Sequence, residues 1–355
     1  MHLFFNIKIM SVSNKITTLK EIGEFGLIEK LTKDVKIQHK STIKGIGDDA
    51  AVLNHKDNIV VTTDLLVEGI HFDLVYTPIK HLGYKAVVVN LSDIYAMNAT
   101  PKQITVSIAM SGKFSLEAVE TLYEGINLAC KNYNVDLVGG DTTSSVNGLT
   151  ISITAIGDIK KDKSVYRNTA NVGDYICVSG DLGASYAGLQ ILKREKEVFM
   201  VNPNSQPDMT SYDYILERQL KPEARKDIIE AFNKNNIIPT AMIDVSDGLS
   251  SEILHICKSS NCGAKIEEPK IPIDTQTINV AEEFDIDPTI FAMNGGEDYE
   301  LLFTISEKDI EKISNISDIS IIGKIVDAKE GVRLYAKTSG SAEITAQGWN
   351  SYTDK

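Results

Sequence analysis

The sequence predicts a two-domain protein of the α/β or α+β class. Its 355 residues are 43% hydrophobic, enough for two cores of ordinary size. β-Branched runs alternate with segments of helical period through the first half. Near Lys160-Lys161-Asp162-Lys163 the composition shifts, and Asn171-Val172-Gly173-Asp174 supplies turn chemistry before a new apolar run. The expected division is an N-terminal extension over residues 1–19, a first domain over 20–162 and a second over 163–355.

Each element has a local cause. Leu19, Ile22, Phe25, Ile28 and Leu31 repeat at helical spacing, and Gly45 to Asp49 is a turn leading into the short apolar run Ala50 to Leu53. Ile59 to Asp64 is β-branched and reads as a strand ending in an acid. Leu82, Ala86, Val89 and Ile94 carry a helix from about Ile79 to Asn98, with Pro101 beyond its end and Gln103 to Ile108 as the next strand. Ser115 caps a helix over Leu116 to Tyr133, followed by the strand Val135 to Val138, the expected turn Gly139-Gly140-Asp141, and the strand Leu149 to Ile156. In the second half, Tyr175 to Val178 and Asp298 to Ile305 read as strands. Helices are expected over Gly188 to Glu195, Lys221 to Asn236 and through Leu249, Ile253 and Ile256, with an irregular polar stretch from Glu195 to Asp213.

Composition narrows the function classes. A formal charge of −13 argues against a nucleic-acid partner, which would need clustered Lys and Arg. No run approaches the roughly 18 apolar residues of a membrane span, and the apolar Met1 to Phe5 has no cleavage site after it. Translation from Met10 is an open alternative. The four cysteines are too few for a disulfide framework, and Cys257 and Cys262 lack a second ligand pair for zinc. The expected compartment is the cytoplasm.

The acids gather in six motifs rich in Gly, Ser and Thr: Gly47-Asp48-Asp49, Thr62-Thr63-Asp64, Asn90-Leu91-Ser92-Asp93, Gly140-Asp141-Thr142, Asp244-Val245-Ser246-Asp247-Gly248 and Gly295-Gly296-Glu297-Asp298. Solvated charge prefers exposed helix faces; carboxylates held close to the backbone at strand ends suit hard cations, which bridge protein to phosphate. A single such motif would read as a turn. Six together point to several magnesium ions on a nucleotide. No Gly-x4-Gly-Lys-Ser/Thr loop is present. Gly45-Ile46-Gly47-Asp48-Asp49-Ala50 matches a dinucleotide fingerprint, but neither the strand before it nor the helix after it is there. Glu68, Asp73 and Glu300 read as structural charges.

In this order the motifs resemble the thiamine-monophosphate kinase family, within the superfamily that also holds aminoimidazole ribonucleotide synthetase and selenophosphate synthetase. The resemblance covers about residues 20 to 350 and is most specific at Thr62 to Phe72, Asn90 to Met97, Gly139 to Thr142, Asp244 to Ser250 and Gly295 to Leu301. It implies a fold like aminoimidazole ribonucleotide synthetase, with an ATP- and magnesium-binding first domain that pairs across a homodimer and a second domain that closes over nucleotide and substrate. It implies direct transfer of the ATP γ-phosphoryl group to thiamine monophosphate, with Mg2+ as cofactor and no covalent relay. By motif, Asp48, Thr62, Thr63, Asp64, Asp93, Asp141, Asp244 and Asp247 are implied at the metals. Tyr123, Gly140, Asp141, Arg167 and Ser246 are implied at the nucleotide, and His71, Glu297 and Trp349 at the acceptor. Residue chemistry agrees: Arg167 offers a planar fork to phosphate, and Trp349 a face for a cationic ring.

Two rivals keep the same fold. A sister synthetase would share the metal motifs, but selenophosphate synthetases resemble one another in an N-terminal catalytic Cys or selenocysteine, and no Cys precedes Cys130 here. A catalytically silent dimeric binding protein would not need intact acids in every motif.

Overall fold

The computed structural model describes residues 17–47, 50–204, 207, 209–336 and 340–346. In chain order the first half holds α1 (Leu19–Thr32), β1 (Thr42–Lys44), β2 (Val52–Leu53), β3 (Asn58–Val67), α2 (Ile79–Ala96), β4 (Thr100–Met110), α3 (Leu116–Tyr133), β5 (Asp136–Ser144) and β6 (Leu149–Ile159). Then follow β7 (Tyr175–Ser179), α4 (Ala184–Val201), α5 (Asp213–Leu220), α6 (Lys226–Asn235), β8 (Ala241–Asp244), α7 (Leu249–Ser260) and β9 (Gly263–Glu267). The last elements are α8 (Thr275–Glu283), α9 (Pro288–Asn294), β10 (Leu301–Ile305), α10 (Ile310–Ile313), β11 (Ile319–Val326), β12 (Val332–Tyr335) and β13 (Ser341–Glu343).

The larger elements form a mixed helix-and-sheet fold around two sheets. The first has four strands in the order β3-β6-β4-β5, antiparallel except for the parallel β4–β5 pair. Strict burial alternation along β6 shows that one face packs into the core and the other stays open. α2 and α3 pack closely against each other: a Cβ at Gly83 would overlap the Leu122 carbonyl, and one at Gly125 the Lys80 carbonyl. Backbone, not side chain, sets this contact. Gly83→Ala is therefore expected to cost about 1–3 kcal/mol through overpacking. An unchanged melting temperature would show that the helices separate freely.

The second sheet has seven strands, ordered β13-β12-β9-β11-β7-β10-β8, with β12–β9 its parallel pair. β10 is buried along its whole length, so both faces of the sheet's centre are covered. The four-stranded sheet uses residues up to Ile159 and the seven-stranded one begins at Tyr175, while a single core cluster joins Ile104 and Leu122 to Phe232 and Phe303. No helix among the described residues is long and apolar enough to cross a membrane. All four cysteines are free and buried.

Several local expectations hold. Ser115 accepts a hydrogen bond from the Ala118 amide, and Asn134 ends α3 in the left-handed region. Others need correction. Gly139-Gly140-Asp141 is not a turn: β5 runs straight through it, and Gly140 is required because a Cβ there would overlap the Val106 carbonyl of β4. α4 extends to Val201, past the expected end at Glu195, and α6 starts at Lys226 rather than Lys221 because Lys221 closes the preceding helix α5, its amide bonded to the Glu217 carbonyl. β10 begins at Leu301, not Asp298, since Glu297 and Tyr299 take positive φ values of 66° and 53°.

Candidate active site

α2 is apolar and almost wholly buried, so its polar residues must find partners. Asn90 donates to the Ala86 carbonyl at 3.0 Å and accepts from the Asp64 amide at 3.0 Å, using an N–H that the edge strand β3 leaves outside its ladder. The Thr62 hydroxyl donates to Asp93 Oδ2 at 2.5 Å, and the Ser92 hydroxyl to Asp244 Oδ2 at 2.7 Å. One helix thus ties β3 of the first sheet to the end of β8 in the second and gathers Asp64, Asp93 and Asp244 at the junction.

These carboxylates act on one another. Burial, and then the charge of Asp93, pushes Asp64 up to about 6. Burial raises Asp93 too, against the Thr62 hydrogen bond and the charge of Arg167. Asp244 is raised well above the carboxylate range by burial and by Asp93, with Ser92 opposing and Glu252 and Asp64 adding. A second group follows at the start of α7. Asp247 is raised by burial, with His255 opposing and Glu297 adding. Glu252, raised to about 7 by burial, accepts from the Asp247 amide at 3.1 Å, with Arg167 and Ser246 also stabilising its charge. Among the described residues, no three acid, His or Cys groups close around one point as a complete metal cage.

The shift on Asp64 sets a pH dependence. Its folded pKa of about 6 exceeds the ordinary 3.8, so the fold penalises the ionised form. Stability then rises as pH falls from about 7 toward about 5. In chelator the melting temperature is expected to climb by a few degrees over that interval, and Asp64→Asn to reduce the climb to the part that Glu252 and Asp298, both raised to about 7 by burial, supply. A level or falling curve in the parent would show that Asp64 is solvated.

At the other end of the site, Glu297 stands on a constrained loop. Its amide donates to the Ser246 carbonyl at 2.8 Å and the Tyr299 amide to the Val245 carbonyl at 2.9 Å, which clamps Gly296 to Glu300 against the segment after β8. Gly296 has no room for a Cβ, which would overlap the Ser246 carbonyl. Tyr299 is buried and its hydroxyl pKa is driven far up, by burial first and then by Glu297, Asp64, Asp244 and Asp93. Tyr299 therefore lies within the field of both ends of the site. His71 Nδ1 accepts from the Val67 amide at 3.0 Å, which places the neutral ring's proton on Nε2. Burial lowers its pKa, Glu297 opposes and Lys85 adds.

Residues 47–159 match the family model described as AIR synthase related protein, N-terminal domain. The thiamine-monophosphate kinase of Buchnera aphidicola subsp. Schizaphis graminum is 39% identical over 322 residues, covering 88% of this chain and 94% of the relative. The chain belongs to the thiamine-monophosphate kinase family. Its members are phosphotransferases, and the Bacillus subtilis thiamine-monophosphate kinase is a further relative, 36% identical over 82% of this chain and 86% of its own length. Among solved structures, AaThiL complexed with AMPPCP and TMP superposes with a TM-score of 0.73 at 31% identity, covering 94% of this chain and 98% of that one. The hydrogenase maturation protein HypE shares the fold alone, at 18% identity and a TM-score of 0.72.

For a chain of this family, the motif residues divide into two sets. Thr62, Asp64, Asp93, Asp244, Ser246, Asp247, Arg167, Glu297 and His71 are linked by the bonds and fields described above. Thr63 lies on the opposite face of β3 from Thr62 and Asp64, donating to the Ile153 carbonyl at 3.0 Å. Gly140 and Asp141 sit on β5 at the far edge of the sheet, where register runs from Asp64 through Ile153 and Val106 to Gly140. Three strand spacings of about 4.8 Å, or roughly 14 Å, separate them. Tyr123 is buried on α3, its hydroxyl pKa raised to about 12 by that burial. Asp48 and Trp349 lie outside the described residues.

Sequence reasoning missed Lys85, Gln219, Glu252 and Tyr299. Lys85 had a visible signal, a lone charge in an apolar helical run; the other three are explained by tertiary contacts only. Glu68, Asp73 and Glu300 have structural partners. Glu68 accepts from the Leu149 amide at 2.8 Å, Asp73 pairs with Lys196, and Glu300 bridges two arginines.

Proposed function

We propose that this chain transfers the γ-phosphoryl group of ATP to the phosphate of thiamine monophosphate, giving thiamine diphosphate. The observation that carries the reading is the meeting of Asp64, Asp93 and Asp244 where β3, α2 and β8 converge, in a chain superposable on a relative complexed with AMPPCP and TMP.

The site's own chemistry fits divalent cations. Burial holds the pKa of all three carboxylates high, and the charge of Asp93 adds to this at Asp64 and Asp244, a state that cation binding relieves. Asp64, Asp93, Asp244 and Asp247, with the Thr62 hydroxyl beside them, would hold Mg2+. When bound, Mg2+ supplies charge neutralisation for the phosphates during transfer. For Asp48, Thr63, Tyr123, Gly140, Asp141 and Trp349 the assigned roles rest on the resemblance alone.

The side chains then position and exclude. Arg167, whose charge reaches both Asp93 and Glu252, offers its guanidinium fork to the nucleotide beside Ser246. Glu297 and His71 receive the acceptor, whose phosphate is already a nucleophile, so no covalent relay and no general base are needed. The homodimer is supported by the open face of the four-stranded sheet, where Thr105, Ser107, Ser152 and Thr154 are only half-buried and Ile59, Val61 and Leu65 on the edge strand are exposed. We further read residues 20–162 and 163–355 as the two domains and the cytoplasm as the compartment.

Incubation with ATP, Mg2+ and thiamine monophosphate, followed by chromatography, tests the assignment. Thiamine diphosphate and ADP in equal amounts are expected. ADP release only with a different acceptor would overturn it.

A further inference from the structure

Lys85 is 3% exposed in the middle of α2, surrounded in sequence by the buried Leu82, Tyr84, Ala86 and Val87. A buried ammonium is costly unless its charge and its donors are met. Here Nζ donates to the Gln219 carbonyl at 3.0 Å and pairs with Glu297 Oε1 at 3.0 Å. The same Gln219 gives its side-chain amide to Glu297 Oε2 at 2.9 Å, and its own amide oxygen is fixed by the Ser185 hydroxyl at 2.5 Å. Both oxygens of one carboxylate are therefore set by donors from two different helices, α2 and α5. That carboxylate is the one on the constrained loop, at φ 66°, and its charge reaches His71 and Asp247.

A buried ion pair placed for stability alone has no reason to end on a partly exposed carboxylate held at positive φ on the loop beside Ser246. We propose that Lys85 is a positioning residue for the acceptor: it fixes Glu297, with Gln219, so that the remaining lone pairs of the carboxylate aim at a cationic or amine-bearing acceptor. Lys85 does not touch the acceptor itself. The inference rests on the proposed acceptor, thiamine monophosphate, which carries both a cationic ring and an amine. Its consequence is selective: losing Lys85 loosens acceptor binding and leaves the nucleotide end, held by Ser92, Asp93 and Arg167, in place.

The test is a double-mutant cycle of Lys85→Met and Glu297→Gln on the full-length protein, reading KM for thiamine monophosphate and for ATP. Lys85→Met is expected to raise the acceptor KM about tenfold and to leave the ATP KM within about twofold. In the Glu297→Gln background it is expected to add almost nothing, because the group it positions is already altered. Equal effects on both substrates, no effect, or effects that multiply in the double mutant would each overturn the proposal. If Lys85→Met does not fold, Gln219→Met carries the same expectation on the same two KM values, with selective acceptor loss supporting and unselective or absent loss overturning. A parental enzyme that fails to phosphorylate thiamine monophosphate would remove the acceptor assignment and this inference together. A parental enzyme that does so beside an unselective Lys85→Met would remove this inference alone.

Discussion

Asp244→Asn lowers kcat by at least about 10²-fold, a barrier increase of roughly 2.7 kcal/mol, in a protein that stays folded. Asn keeps the size of the side chain and can still accept from the Ser92 hydroxyl, now 2.7 Å from Oδ2, so the tie between α2 and β8 survives. What disappears is the most deeply buried of the three carboxyl groups, whose charged form burial and then Asp93 disfavour and a bound cation would favour. In metal-free protein the substitution removes the cost of burying a charge beside Asp93 and is expected to leave the melting temperature level or slightly raised. With saturating Mg2+ and ATP the parent gains stability by ligand linkage, and the variant gains less. Turnover and thermal unfolding measured with and without Mg2+ separate these effects. Near-parental turnover at saturating Mg2+, or a variant that unfolds outright, would return Asp244 to a structural role.

Much of this site was legible because its causes are local. The strand carrying Asp64, the helix carrying Asn90 to Asp93, and the strand-to-helix passage through Asp244 and Asp247 each follow from residue type and period within about ten residues, although β3 runs on to Val67 where an end at Asp64 was expected. Gly139-Gly140 misled because two glycines before an acid signal a turn, whereas Gly140 answers to the Val106 carbonyl of a neighbouring strand. The constrained loop was equally hidden. Glu297 and Tyr299 take positive φ although neither is Gly or Asn, so nothing in their identity announces it. Lys85 could be flagged as an oddity, but its partners Gln219 and Glu297 come from distant elements that only the tertiary fold assembles. The same holds for Thr63. Its motif groups it with Thr62 and Asp64, while strand alternation turns its side chain to the other face.

That constrained loop is held from beneath by Glu300, and Glu300→Gln is expected to cost about 3–5 kcal/mol of stability. Glu300 is 1% exposed, with Arg218 at 2.7 Å from Oε1, Arg225 at 2.6 Å from Oε2 and the Ser179 hydroxyl at 2.6 Å from Oε2. Arg218 also reaches the carbonyl of Asp298 within the loop, at 3.3 Å, and that of Asp181 after β7, at 3.1 Å. An amide supplies one acceptor oxygen where the carboxylate supplied two, and it removes the charge that joins the two guanidinium groups, leaving Arg225 to Asp227 and Asp318 and Arg218 to Asp298 at 3.7 Å. For a protein of this size each kcal/mol moves the melting temperature by about 2–4 °C, so a drop of roughly 6 °C or more is expected. Holding Glu297 and Tyr299 at positive φ costs on the order of 1–3 kcal/mol each, which the surrounding bonds must outweigh. Weakening Glu300 therefore releases the loop before it unfolds the domain, and the acceptor KM should rise at temperatures where the variant is still folded. Melting curves and KM values for both substrates decide the matter. A melting temperature within about 1 °C of the parent would show that the other carboxylates around the two arginines suffice and that Glu300 does not support the loop.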